Sequence, residues 1–134
     1  LTFSHVICRP TREEAEALRW AFWSVTELEK DALTLLAHGY AMPPEQRKAN
    51  LADDARRRLK VPLAVLEAHL AAQQARGESC LAADRFTVAD VCVASVVSWV
   101  TTDRELMRAH PQMHAWATAC LARPSYAAAR ALPG

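Results

Sequence analysis

The sequence predicts an all-α fold, and three observations carry that prediction. Only three of 134 residues are glycine, while alanine recurs throughout; that balance favours helix and supplies few of the turns a β-sandwich needs. About half the chain (51%) is hydrophobic, enough for a packed core and too much for disorder. Hydroxyl–acid capping pairs also stand ahead of two long apolar segments. The length suits a single domain, since the usual prior is roughly 150 residues per domain.

Leu1–Pro10 reads as an extended or irregular N-terminal extension or linker, too short to be a domain; residues 11–134 form the helical domain. The first long helix starts at Thr11, with Glu14 completing a capping box. Leu18, Phe22, Val25, Leu28, Ala32, Leu35 and Leu36 recur at helical spacing, and Gly39 is expected to stop the helix ahead of Pro43-Pro44. Such a helix is roughly 40 Å long at 1.5 Å per residue. A second long helix is expected from Pro44 to Gln74, with Leu59, Leu63, Leu66 and Leu70 as its stripe. It should kink at Pro62 and end at Arg76-Gly77.

The third helix is read against its own β-propensity. Val88, Val91, Val93, Val96, Val97 and Val100 would suit a strand. Thr87 followed by Asp90 instead places a hydroxyl at the N-cap and a carboxylate at N3, with Phe86 and Val91 as a hydrophobic staple. A helix this apolar must be surrounded by others, so Thr87–Val100 belongs at the centre. A short helix over Arg104–Ala109 follows. Pro111 opens another that buries Met113, Trp116, Ala117, Cys120 and Leu121. Arg123-Pro124 breaks it, and Ser125 caps a last short helix.

Several functions are disfavoured. A net charge of +1 gives no field to draw nucleic acid or an anionic membrane. The longest apolar run, within Val91–Val100, is interrupted by Ser95 and Ser98 and falls short of the ~20 residues of a membrane span. Cys8, Cys80, Cys92 and Cys120 contain no CxxC pair, and no secretion signal precedes them. Free thiols in a reducing, cytoplasmic compartment are expected. The chain begins at Leu1 rather than Met, which leaves a processed product or one part of something longer open.

Candidate sites are few. His110 and His114 have the spacing of two ligands on one helix, but Pro111 places His110 in the cap and no further ligands complete a set, so no metal site is expected. Cys92 is expected to be buried and inert, and Cys120 to lie on a packing face. Arg56-Arg57-Arg58 follows Asp53-Asp54 without interleaved aromatics and reads as a solvated face. Trp20, Phe22 and Trp23 cannot all point one way. One enters the core, and the others face a partner subunit, another domain or a ligand.

Four ordered segments carry a family resemblance. Phe86-Thr87-Val88-Ala89-Asp90-Val91, after Asp84-Arg85, resembles the capping signature at the centre of the glutathione transferase C-terminal domain. Trp20 through Leu28 resembles that domain's first helix in bacterial members, Pro62 through Glu67 its second, and His110-Pro111 through Ser125 its closing helices. The resemblance implies an all-helical bundle that supplies the electrophile site and part of a dimer interface. A separate thioredoxin-like domain, absent from this sequence, would bind glutathione and activate its thiol. The implied partners are that domain, a second copy in a homodimer, and an apolar electrophilic small molecule. Glutathione is the parent enzyme's co-substrate, and no cofactor is implied.

In the bacterial beta-class pattern, positions matching Phe22, Thr26, Glu27 and Glu29 touch glutathione. Thr26-Glu27-Leu28 is retained; Phe22 stands where a polar residue is usual, and Glu29 where a His is. Phe22 and Trp23 thereby favour an apolar wall. Thr87 and Asp90 match the family's capping pair and are structural, so no catalytic residue is expected here and the isolated domain should be inactive. The alternative is a non-catalytic helical interaction or dimerisation module. A third possibility, the ligand-binding half of a transcriptional regulator, gives no reason for the capping box.

Overall fold

The computed structural model describes residues 11–132, which contain helices and no strands. The expected extension at Leu1–Pro10, with Cys8, lies outside the described residues. Helix α1 (Arg12–Trp23) opens on the expected capping box: Glu14 N–H donates to Thr11 Oγ1 at 3.2 Å, and Thr11 N–H to the Glu14 carboxylate at 2.9 Å. It continues through a π turn (Ser24–Leu28) into α2 (Glu29–Leu36) and a second π turn (Ala37–Ala41). The widening at Ser24–Leu28 has a local cause. Ser24 donates its hydroxyl to the Ala21 carbonyl at 2.7 Å, and Thr26 to those of Phe22 and Trp23 at 3.1 and 3.3 Å. Three successive carbonyls thus accept hydroxyl protons, which loosens the regular ladder there.

Gly39 does not stop this rod. Its backbone is not left-handed, and the helix runs on to Ala41. The stop is steric: Met42 precedes Pro43 and adopts φ −70°, ψ 155°, the extended region to which a following proline confines its neighbour. The next helix also starts later than expected. Pro44–Gln46 forms only a 3₁₀ turn, Arg47 and Lys48 are extended, and α3 is Ala49–Ala75. Arg47 turns back instead, donating to the carbonyls of Tyr40 and Met42 at 2.6 Å each, which satisfies acceptors left over at the preceding helix end. Helix α3 runs through Pro62 as one element and ends as expected at Gly77, whose φ of 77° is left-handed. Glu78 N–H reaches the Gln73 carbonyl and Gly77 N–H that of Gln74, both at 2.9 Å, the pairing of a Schellman cap.

Helix α4 (Val88–Val97) with a 3₁₀ turn (Ser98–Val100) packs against α1, α2 and the later helix α6 (Pro111–Leu121). Ala89, Val93, Ala94, Val96, Val97 and Val100 are buried. They meet a core of Leu28, Leu35, Leu59, Leu63, Leu66 and Met113, where each fully buried aliphatic chain contributes roughly 1.5–3 kcal/mol. The expectation that α4 is enclosed on nearly every side is corrected. Val88 and Val91 remain 52% and 49% exposed, and Ser95 is exposed too, so one face of the central helix is open. Cys92 is likewise half-buried rather than buried.

Helix α5 (Arg104–Ala109) is capped by Asp103, and α6 starts at Pro111 as expected. Glu67 of α3 caps α6 from outside, accepting from Gln112 N–H at 2.9 Å and Met113 N–H at 2.7 Å. Met113, Trp116 and Ala117 are buried, and Cys120 and Leu121 half-buried. The last helix, α7 (Pro124–Arg130), has Arg123 at its N-cap and no side-chain cap. Ser125 is therefore inside the helix rather than its cap, because Pro124 takes the first helical position.

Arg56, expected on a solvated face, is a tie across the fold. It donates to Asp103 at 2.8 Å and to Asp53 at 2.8 Å, while the Tyr40 hydroxyl donates to Asp103 at 3.2 Å. Arg57 pairs with Asp54, and Arg58 with Asp31.

Candidate functional site

The centre of the fold is organised by one buried carboxylate. Asp90 is 0% exposed. Its Oδ2 accepts from Thr87 N–H at 3.0 Å, completing the capping box, while Thr87 Oγ1 accepts from Ala89 N–H at 3.3 Å. Its Oδ1 accepts from Leu81 N–H and from Trp116 Nε1, both at 3.0 Å. One side chain thereby joins the loop before α4, the N-terminus of α4 and helix α6. A carboxyl group accepting from two buried donors and one half-buried one has its own hydrogen-bonding capacity satisfied, the condition for burying a polar group at low cost.

The residues singled out on the first rod lie at its π turn, and such turns recur at functional sites. Trp20 is buried, and Trp23 stands edge-on to it with ring centroids 4.9 Å apart. The His69 ring lies 4.5 Å from Trp20, and its Nε2 donates to the Leu81 carbonyl 2.7 Å away. The Trp20 indole N–H has no partner among the described residues. Phe22 turns outward and is 66% exposed, in line with exposed Leu18 and Val25. Thr26 and Glu27 are exposed and Glu29 is half-buried. The segment thus holds an outward apolar stripe, Leu18-Phe22-Val25, beside a short polar run, Thr26-Glu27. Trp23 belongs to the inner side rather than to that stripe, and packs against the core.

Neither Cys80 nor Cys120 is set up as a nucleophile. Burial pushes the Cys120 thiol up to about 12, with Asp90 and Cys80 adding to the rise. Burial raises the Cys80 thiol as well, followed by Asp90. Both are neutral near pH 7 and poor nucleophiles. No group of three or more His, Cys, Asp or Glu suited to a metal occurs among the described residues. His110 is buried at the junction of α5 and α6, with Nδ1 2.8 Å from the Leu106 carbonyl, whereas His114 is exposed. Among the described residues no helix is long and apolar enough to cross a membrane.

A cavity of about 450 Å³ opens against the uncovered face of α4, lined by Phe86, Val91, Ala94, Leu121 and Arg123 among others. None of Phe22, Trp23, Thr26, Glu27 or Glu29 lines it. Sequence reasoning missed this cavity. Phe86 and Arg123 were read only as a staple and a helix break, and nothing in their spacing announces that the Arg123 guanidinium sits 3.9 Å above the Phe86 ring.

Comparison with known proteins bears on this geometry. Residues 30–124 match the model of the glutathione S-transferase C-terminal domain. No curated protein matches the sequence significantly. Among solved structures, glutathione S-transferase III is similar at 28% identity and a TM-score of 0.74, with 96% of this chain and 60% of that one covered. The glutathione transferase URE2P5 of Phanerochaete chrysosporium is similar in fold at 20% identity and a TM-score of 0.69, covering 97% of this chain and 54% of that one. The GST-like domain of elongation factor 1-gamma from Saccharomyces cerevisiae shares the fold at 17% identity and a TM-score of 0.67, covering 87% and 52%. The chain therefore spans little more than half the length of these proteins.

Proposed function

Because the chain belongs to the glutathione S-transferase C-terminal domain family, we propose that it is the helical half of a glutathione transferase-like enzyme, orienting an apolar electrophile against glutathione held by a thioredoxin-like domain. The observation that carries this reading is the outward stripe Leu18-Phe22-Val25 beside Thr26 and Glu27 on a capped, family-type rod. Apolar side chains left facing solvent along one helix face call for a partner surface or a ligand. In this reading Phe22 forms the wall for the apolar co-substrate. Trp23 backs the helix from inside, Thr26 and Glu27 contribute polar contacts to the tripeptide, and Glu29 sits at the edge of that contact. Holding two reactants together supplies much of the acceleration such an enzyme needs. Activation of the thiol falls to the other domain, since burial raises the Cys80 and Cys120 thiols rather than lowering them.

The test is conjugation of glutathione to 1-chloro-2,4-dinitrobenzene. The 134-residue chain alone should not exceed the uncatalysed rate. Joined behind a thioredoxin-like glutathione-binding domain it should turn over, and Phe22→Asp should raise KM for the electrophile. Robust turnover by the chain alone would overturn the assignment of roles.

A second reading, a non-catalytic association module, is favoured by a different observation. Leu33, Val61 and Val65 on the packed pair α2 and α3 are each at least half exposed, and the fold also occurs in the GST-like domain of an elongation factor. A homodimer through this face fits either reading. Sedimentation equilibrium of wild type against Val61→Glu/Val65→Glu separates monomer from dimer. A monomeric wild type would remove the dimer from the proposal.

A further inference from the structure

Helices α5 and α6 carry another surface, which involves none of the residues assigned to glutathione, its electrophile or a dimer. Between them lies an open trough of about 700 Å³. Its floor is apolar, with Met107 from α5 and Pro111 and Ala115 from α6. Its rim is cationic: Arg104 and Arg108 stand on α5 and His114 on α6, all three exposed. No acidic residue among those described lines it.

The acids close by in sequence or fold are engaged elsewhere. Asp103, which caps α5, accepts from Leu106 N–H on one oxygen and from Arg56 and the Tyr40 hydroxyl on the other. Glu67 accepts from Gln112 and Met113 N–H at the start of α6. Glu105 is exposed but does not line the trough. Neither Arg104 nor Arg108 forms an ion pair among the described residues. Arg108 at least lies in the last turn of α5, where a cation meets the negative end of the helix dipole. Arg104 opens the helix, the end at which a cation is disfavoured, so the fold gains nothing from its charge.

We infer that the trough between α5 and α6 docks an acidic amphipathic helix of a partner protein, with carboxylates on Arg104 and Arg108 and apolar side chains on Met107, Pro111 and Ala115. Positions 104 and 108 are one turn apart, about 6 Å along the axis, and carboxylates four residues apart on another helix have the same spacing. Apolar anchors in a groove supply the affinity, and the guanidinium–carboxylate pairs fix register and partner choice. Nucleic acid fits this surface less well. Three cations neutralise few phosphates, and no aromatic side chain among the described residues lines the trough to stack on a base.

The test is fluorescence anisotropy of a fluorescein-labelled helical peptide rich in leucine and glutamate, its glutamates four residues apart, titrated with the 134-residue chain. It needs neither glutathione nor a thioredoxin-like domain, so its outcome is separate from the turnover assay. The glutamate peptide should bind about tenfold more tightly than the same peptide with glutamine at every glutamate. Unlabelled oligothymidylate should not displace it. Arg104→Glu/Arg108→Glu should weaken binding about a hundredfold, tenfold for each pair lost, with far-UV circular dichroism confirming the fold. Arg104→Gln/Arg108→Gln, with a loss of about tenfold or more, serves should the double reversal not fold. Arg12→Glu/Lys30→Glu makes the same change in net charge on the first rod and should alter affinity by less than about twofold, since distant surface charges are screened. No binding of the glutamate peptide, equal binding of the glutamine peptide, equal loss in Arg12→Glu/Lys30→Glu, or displacement by oligothymidylate would overturn the inference.

Discussion

Removing the Asp90 carboxylate should be among the most damaging single changes to this domain. Asp90→Ala leaves three donors without their acceptor: Thr87 N–H, Leu81 N–H and the Trp116 indole N–H, each now 3.0 Å from Asp90. Each buried donor so orphaned costs about 1–3 kcal/mol. Thr87 is only half-buried and its N–H can recruit water, so the expected total is about 4 kcal/mol rather than the full sum. Against a domain stability of about 5–15 kcal/mol, that loss approaches unfolding. With a urea m-value near 2 kcal/mol per molar, the midpoint should fall by about 2 M. Asp90→Asn should cost about half as much. Its amide oxygen can still serve Leu81 and Trp116, but its NH₂ faces another donor at Thr87. Thr87→Ala, which removes only the hydroxyl cap, should cost about 1 kcal/mol. Urea melts followed by far-UV circular dichroism and tryptophan fluorescence measure all three. An Asp90→Ala midpoint no lower than that of Thr87→Ala would refute the assignment of Asp90 as the tie between loop, helix and Trp116.

Other consequences are independent of that one. Burial by itself would raise the Asp103 carboxyl, but donors from Leu106, Arg56 and Tyr40 outweigh it and hold the group below its ordinary value. Its contribution to stability is thus full above the unfolded-state pKa and disappears as pH falls through the lower folded value. Arg56→Met should narrow that gap and cost about 2 kcal/mol at pH 7, so its acid-unfolding midpoint should sit at higher pH than wild type. Gly77→Ala should cost about 1 kcal/mol because φ is 77°. Gly39→Ala, inside a helix where a Cβ would stand 3.4 Å from Leu35, should be neutral or slightly stabilising by melting temperature. Cys120, with its thiol pushed up to about 12 by burial, should alkylate far more slowly with iodoacetamide at pH 7 in the native state than in urea, followed by mass spectrometry of the labelled peptide.

The fold was legible where local chemistry and apolar period agreed. Thr11-Glu14 and Thr87-Asp90 announced their helices, and the second of these overruled a valine-rich segment's preference for strand. Gly77 and Pro111 marked an end and a start through the conformations that only glycine and proline favour there. Gly39 misled because a glycine signals a helix end only when the chain needs its left-handed conformation, and here Pro43 had already imposed the stop on Met42. The second reach of Asp90, to Leu81 and Trp116, was not legible. It depends on a loop and a helix distant in sequence meeting at one atom. Arg56 was misread for the same reason, since its partner Asp103 lies in another helix's cap. Of the candidate site, the crowding of Trp20, Phe22 and Trp23 on one helical turn told that they must diverge, but not that Phe22 alone turns outward while Trp23 packs inward. The cavity under Arg123 was not legible, because its walls come from two stretches, 86–95 and 120–130, that are distant in sequence.

The proposed role places a thioredoxin-like domain against the Leu18-Phe22-Val25 face, and amide chemical-shift mapping can look for it there. The ¹⁵N-labelled chain would be titrated with a separately expressed glutathione-binding domain. The account predicts shifts concentrated at Leu18, Phe22, Val25, Thr26 and Glu27, and their loss in Phe22→Asp. A pattern confined to α5 and α6, or no shift at saturating partner, would contradict it.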